Sequence, residues 1–235
     1  MDQLTPWLIG GFIALVVVSA IVAIRSHRAK QQALREALRS LGFIPAEPTS
    51  ELVRRLTYLH AGTAAGDKQS SEKKYEVKNV FSKRFGDGEM FVFDLEDTDS
   101  DSGSTERHDI AVVSQRLKLP PFVLMPRPGG EGAFSKLADR AIEWVARKAG
   151  AQVEFPNHPE LARHYFVHSP DADAARRFLD GGRLNRLAET RHMFLRAADD
   201  AFTVSSFVAT AKPGSVEQLR ERVDVAARVF SILVA

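Results

Sequence analysis

The sequence predicts an α+β fold: an N-terminal transmembrane helix followed by a mainly antiparallel sheet packed by helices. Three observations predict it. An uncharged apolar run opens the chain, glycine- and aspartate-marked turns join strand-like segments with no regular βαβ rhythm, and an amphipathic helix closes it.

The apolar run extends from Leu4 to Ile24 without a charged residue. Roughly twenty helical residues cross the hydrocarbon layer of about 30 Å. Leu8, Ile9, Phe12, Ile13, Leu15, Val16, Val17, Val18, Ile21, Val22 and Ile24 together favour insertion by roughly 3–6 kcal/mol. Pro6 falls in the first turn, where its missing N–H costs nothing, and Trp7 is placed for the interface. A cleaved signal peptide would carry its positive charge before the run. Here Asp2 precedes it, so the small-residue triplet Val18-Ser19-Ala20 is read as part of an anchor. The bilayer is therefore the expected partner of residues 4–24.

Arg25, Arg28, Lys30, Arg35 and Arg39 follow the run, against a single Glu36, while the tail before it has neither Lys nor Arg. The positive-inside rule predicts a single-pass protein of the cell inner membrane with its N-terminus outside and its domain in the cytoplasm. Close to an anionic leaflet such residues each contribute about 1 kcal/mol, so the stem should lie along the membrane surface. Gly10 and Ala14, like Ser19 and Ala23, are small residues four apart, a spacing compatible with a homodimer through Gly10 and Ala14. The chain has 235 residues, a formal charge of +2 and no cysteine. That near-balance argues against nucleic acid as a partner, and the cysteine count is silent on redox compartment.

The organisation predicted is an outside tail and transmembrane helix over 1–24, a basic juxtamembrane helix over 25–42, and a globular α+β domain over 43–235. In the stem, Ala29, Ala33, Leu34, Ala37, Leu38 and Leu41 recur at helical spacing, and Gly42 is a C-terminal stop. Ser50 reads as the N-cap of a short helix carrying Leu52, Val53, Leu56 and Leu59. Strands are expected over 75–84 and 89–95, joined through Gly86-Asp87-Gly88. In the second of them Phe91, Phe93 and Leu95 share one face while Met90 and Val92 make the other apolar, which predicts cover on both sides. An acidic loop over 96–106 leads to strands at 108–114 and 122–125, the latter entered through Pro120-Pro121. Pro126 to Gly132 is the candidate break between lobes.

Beyond it the pattern predicts a helix over 133–147, short strands at 152–155 and 163–167, and a helix capped by Ser169 or Asp171. A shorter helix carries Leu184 and Leu187. A hairpin of strands near 192–196 and 202–210 turns at Asp199-Asp200. The closing helix aligns Val216, Leu219, Val223, Ala226, Ala227, Phe230 and Leu233. Roughly 190 residues suffice for one well-buried core or two small lobes.

Candidate chemistry is thin, and catalytic residues are unknown. Asp97-Thr98-Asp99-Ser100-Asp101 begins like a calcium loop, but Ser102 and His108 stand where such loops need glycine and a bidentate glutamate. The stretch Asp97–Asp101 is read as a solvated hairpin tip, with weak divalent-ion binding as its alternative. His158, His164 and His168 are the densest histidine group; the last two, four apart, would share one face of a strand. No His-Glu-x-x-His pattern completes a metal site. Gly86-Asp87-Gly88 and Gly130-Glu131-Gly132 lack the third glycine of a dinucleotide fingerprint, so both are turns and no cofactor is implied. Arg176, Arg177, Arg183, Arg186, Arg191 and Arg196, interleaved with acids, read as a solvated surface, with a small anionic-ligand site as the alternative.

Phe91-Val92-Phe93-Asp94, then Ile110-Ala111-Val112-Val113, then the Leu-Pro-Pro-Phe-x-Leu-x-Pro string of Leu119–Pro126 resemble a bacterial family of membrane-anchored domains of unknown function. Tyr165-Phe166-Val167 followed by Asp171 to Leu179 is similar to the family's next strand and helix. The resemblance implies a bacterial inner-membrane protein and brings no catalytic residue with it. The expected function is a non-enzymatic, membrane-tethered interaction module with an unidentified protein partner. The alternative is a membrane-bound hydrolase or transferase using His164, His168 or the acidic loop.

Overall fold

The computed structural model describes residues 25–26, 29, 31–61, 75–97, 105–127, 149–180, 182–190, 193–206 and 215–235. The predicted span 4–24, with Gly10 and Ala14, lies outside them, as do residues 98–104 of the acidic loop and the expected helix over 133–147. Among the described residues no helix is long and apolar enough to cross a membrane. The chain divides into two compact units, residues 1–42 and 43–235.

In the first unit residues 31–40 form helix α1. It ends as its sequence suggests: Gly42 adopts φ +83°, a left-handed conformation that glycine enters without a Cβ clash, and its N–H donates to the Arg39 carbonyl at 2.9 Å.

The second unit is built on one nine-stranded sheet. Its strands are β1 (Ile44–Pro45), β2 (Tyr75–Phe85), β3 (Gly88–Asp97), β4 (Thr105–Val113), β5 (Leu119–Pro126), β6 (Ala151–Gln152), β7 (Tyr165–Ser169), β8 (Met193–Asp199) and β9 (Ala201–Ser206). They lie in the order β1-β2-β3-β4-β9-β8-β5-β7-β6, and each neighbouring pair is antiparallel. The helices are α2 (Ser50–Ala61), α3 (Pro159–His164), α4 (Ala172–Leu179), α5 (Arg183–Glu189) and α6 (Val216–Leu233). The α+β class and the mainly antiparallel sheet are thus as expected. The candidate break at 126–132 runs past the described residues; β5, which ends at it, pairs with β7, which comes later in the chain, after β6 and α3.

Local chemistry explains the turns. Phe85 pairs with Gly88 across a two-residue turn whose first residue, Gly86, has φ +62°. Gly88 is needed for another reason: a Cβ there would lie 2.2 Å from the Val113 carbonyl oxygen of β4. Ala198 pairs with Ala201 across Asp199-Asp200, with Asp199 at φ +55°, a region that Asp tolerates better than most residues. Asn79, at φ +50°, sits where the β2–β3 register shifts between Lys78 and Phe81, and its amide donates to Asp94 Oδ2 at 2.8 Å.

Both faces of the sheet are covered. On one, Leu52 and Leu56 of α2 pack with Phe91, Phe93, Leu95 and Ala111, and Leu59 packs with Ala198 and Ala201. On the other, Phe230 of α6 meets Phe85 edge-on at 5.2 Å, and Phe178 of α4 lies 6.2 Å from Phe122. Met90 to Leu95 are accordingly all buried, the double cover predicted for β3.

Three expectations change, and one alternative is decided. Thr49, not Ser50, caps α2: its Oγ1 accepts from the Leu52 N–H at 3.2 Å, and Ser50 is already helical. Residues 163–164 belong to α3, opened by Pro159, so the strand begins only at Tyr165. The strand predicted at 152–155 is only Ala151–Gln152, because Pro156 and the turn after it lead the chain into α3. Of the two caps offered for α4, Asp171 accepts from the Ala174 N–H at 2.9 Å, while the Ser169 hydroxyl donates to the carbonyls of Pro121 and Asp171.

Candidate functional site

A cleft of about 690 Å³ opens at the turn end of the sheet. The β2–β3 turn contributes Asp87 and Glu89, the end of β4 contributes Ser114 and Gln115, α2 contributes Arg55, and the β8–β9 turn contributes Asp200. These segments meet because the β2–β3 and β8–β9 turns flank the same end of β4; the Ser114 N–H donates to the Asp200 carbonyl at 2.9 Å. The cleft's charges are matched to one another. Arg55 Nη2 lies 2.7 Å from Glu51 Oε1 and 3.2 Å from Asp200 Oδ2. Ser114 Oγ donates to Asp87 Oδ1 at 3.1 Å. A second recess of about 360 Å³ shares Arg55 and Asp200 and adds Tyr58 and Asp199. Burial first, and the Asp199 carboxylate second, push the Tyr58 phenol above its ordinary range.

Behind the cleft, under α2, is a buried polar cluster. His60 Nδ1 lies 2.8 Å from the Leu56 carbonyl oxygen, and His60 Nε2 lies 2.9 Å from Asp109 Oδ2. A carbonyl only accepts, so Nδ1 carries a proton. Arg196 Nη1 stands 3.9 Å from the same Oδ2, with its guanidinium 4.3 Å over the Phe194 ring. The side chains of His60 and Asp109 are each 2% exposed, and that of Arg196 is 6%. The lining of neither the cleft nor the second recess includes them. The cluster is a buried histidine–carboxylate pair, and it joins α2 to β4 and β8.

His60 and Asp109 did not stand among the sequence candidates, and Arg196, which stood in the arginine group, is a correction. It is not part of a solvated surface but lies in the buried strand β8. The available signal was a charge interrupting an apolar run, Phe194-Leu195-Arg196-Ala197, and likewise Asp109 before Ile110-Ala111-Val112-Val113.

The histidines singled out by spacing do not converge. His164 ends α3, while His168 is buried in β7 with Nδ1 3.2 Å from the Gly150 carbonyl oxygen. The helix-to-strand change between them removes the shared face that a spacing of four would give in either element. His158 meets Asn185 Oδ1 at 3.1 Å near the surface. Among the described residues no group of three His, Asp or Glu side chains is placed to hold a metal ion. The expected calcium-loop start runs into residues 98–101, outside the described residues.

Comparison with protein-family models, curated proteins and solved structures finds no match for the chain.

Proposed function

We propose that the chain is a membrane-anchored interaction module of the bacterial inner membrane, holding a cytoplasmic domain that binds a protein partner without chemical turnover. The observation that carries this reading is the cleft between Asp87, Glu89, Gln115 and Asp200. It is open and polar, and its Arg55, Asp87 and Ser114 are engaged with neighbours on the chain rather than aimed at a reacting atom. Such a surface offers a rim of alternating charge that a partner of complementary pattern can meet. The anchor rests on the uncharged run 4–24 and the orientation on the basic residues after it. Gly10 and Ala14 allow two such anchors to pack closely.

A photo-crosslinking residue placed in the full chain at Glu89 or Gln115 should give discrete adducts in intact cells, and one at the exposed Glu221 of α6 should not. Adducts no stronger at the cleft than at Glu221 would sink the reading. Protease added to intact spheroplasts should leave the domain whole, and replacing Arg25, Arg28 and Lys30 by Glu should weaken that protection. Digestion of the unaltered chain would overturn the orientation.

The hydrolase alternative retains one specific support, the Ser114 hydroxyl on the Asp87 carboxylate inside a cleft. It requires Ser114→Ala to abolish labelling of the chain by a fluorophosphonate probe. No labelling of the unaltered chain would remove it.

A further inference from the structure

A third recess lies away from the cleft, beside β7 and β6. Its volume is about 220 Å³, and Val153, Phe155, Leu161 and Tyr165 give it an apolar floor of buried side chains. Arg127 stands at the rim, exposed to solvent, with its guanidinium 3.8 Å over the Phe166 ring. Its backbone is held as well, since the Arg127 N–H donates to the His164 carbonyl at 2.7 Å. Among the described residues no carboxylate pairs with this guanidinium. Glu154, also lining the recess, is exposed and carries the opposite charge.

We propose that this recess binds the C-terminal carboxylate of a peptide chain whose last residue is apolar. Three features select that ligand. A guanidinium presents a planar fork of donors that matches a carboxylate, and stacking on Phe166 orients it before anything binds. The recess is smaller than the roughly 300–1,000 Å³ that drug-sized ligands occupy, so it takes one apolar side chain and not a cofactor. The sheet edge beside it is taken by the chain itself: beyond β6 the Val153 N–H donates to the Val167 carbonyl at 2.8 Å, and the Tyr165 N–H donates to the Leu161 carbonyl, so a peptide meets the recess with its end and not along its length. The last side chain of the peptide then fills the recess while its carboxylate meets Arg127. Glu154 disfavours any anion that Arg127 does not hold, which demands that the carboxylate sit on the arginine side.

The full chain in lipid nanodiscs is titrated with a fluorescein-labelled hexapeptide, otherwise uncharged and ending in leucine, as the free acid and as the C-terminal amide. The acid should bind at least about tenfold more tightly than the amide, the worth of one charge-assisted contact. Arg127→Gln should bring the acid down to the level of the amide, and Glu154→Gln should tighten the acid. Ala162→Trp, at an exposed position lining the recess, should abolish both. Equal binding of acid and amide, or an Arg127→Gln variant that binds the acid as well as before, overturns the proposal. Octanoate displacing the peptide at equal or lower concentration also overturns it, because the recess would then serve lipid acids. None of these outcomes depends on crosslinking at Glu89 or Gln115, so the two sites fail or stand separately.

Discussion

His60 and Asp109, 49 residues apart in the chain, meet at 2.9 Å inside the domain. Two ionisable groups taken out of water at this depth hold together only as a pair, because the desolvation of each is offset by the other. The T-shaped contact of the His60 ring with Phe93, at 5.9 Å, packs the imidazole from the side. The pair is what attaches the C-terminal turn of α2 to the centre of the sheet.

Removing one partner should therefore cost more than removing both. Asp109→Ala takes away the acceptor that His60 Nε2 faces and the carboxylate beside Arg196, at a cost of about 3–5 kcal/mol. The double replacement His60→Leu with Asp109→Leu should cost clearly less than the sum of the single changes, as expected of coupled neighbours. Chemical unfolding of the full chain, followed by circular dichroism, measures Asp109→Ala, the two single leucine variants and the double. Strict additivity would mean that the two side chains stabilise the fold independently.

The same pair shows why part of this molecule could be read in its sequence and part could not. Turns are local chemistry, so Gly86-Asp87 and Asp199-Asp200 announce their hairpins within a few residues, and both form. The apolar stripe of α6 and the two apolar faces of β3 are likewise periodic signals. Sheet order is not local. Nothing near Leu119–Pro126 says that β5 inserts between β8 and β7, because those partners lie far along the chain. His60 and Asp109 suffer from the same distance. Arg196 was hidden by its neighbours in composition, since a run of arginines and acids looks solvated until the strand is placed. His164 and His168 failed because Pro159 starts a helix that ends between them.

Tyr165 sets an alkaline limit on stability. Its hydroxyl donates to the Thr190 carbonyl, and burial pushes the phenol up to about 12, slightly opposed by the Met193 N–H directed at the oxygen. The unfolded chain loses this proton near pH 10 and the folded one near 12, so between them the unfolded state binds fewer protons. Stability contributed by the neutral phenol is thus complete below pH 10 and is lost as pH rises through 12, by about 2–3 kcal/mol. Tyr58, also raised, acts in the same direction. Unfolding measured from pH 9 to 12 should show this fall. Tyr165→Phe should be less stable at pH 8 by about 0.5–1.5 kcal/mol, through loss of the Thr190 hydrogen bond, and should have a shallower alkaline slope. An unchanged slope would mean that Tyr165 titrates as it does in water.

The glycines of the first hairpin are not equivalent. A Cβ on Gly88 would press on the Val113 carbonyl oxygen at 2.2 Å and on Ser114 Cβ at 2.7 Å, and β4 cannot yield without breaking its pairing with β3. Gly86 has open space around it and only its φ of +62° to defend. Gly86→Ala should cost roughly 1–2 kcal/mol, the left-handed penalty alone. Gly88→Ala should cost more and should shift the Asp87–Ser114 contact on the cleft floor. If the two substitutions cost the same in thermal unfolding, the close approach of the turn to β4 does not hold in solution.

The closing helix offers the sharpest test of the core. Residues from the middle to the end of α6 (Val223, Ala226, Val229, Phe230, Ile232 and Leu233) are buried, so the aliphatic end of the chain is not a free surface. Ser215 caps the helix by accepting from the Gln218 N–H at 3.2 Å, and Phe230 places its ring edge-on to Phe85 of β2. Such a contact adds about 0.5–1.5 kcal/mol to the area that both rings bury. Phe230→Ala should therefore cost about 3–5 kcal/mol, while Phe230→Leu, which keeps much of the volume, should cost less than half of that. Phe85→Leu should remove most of the difference between Phe and Leu at position 230, because the ring partner is then gone. Unfolding curves of these variants and their double substitution decide it. A negligible change with Phe230→Ala would place the ring in solvent and detach the end of α6 from β2.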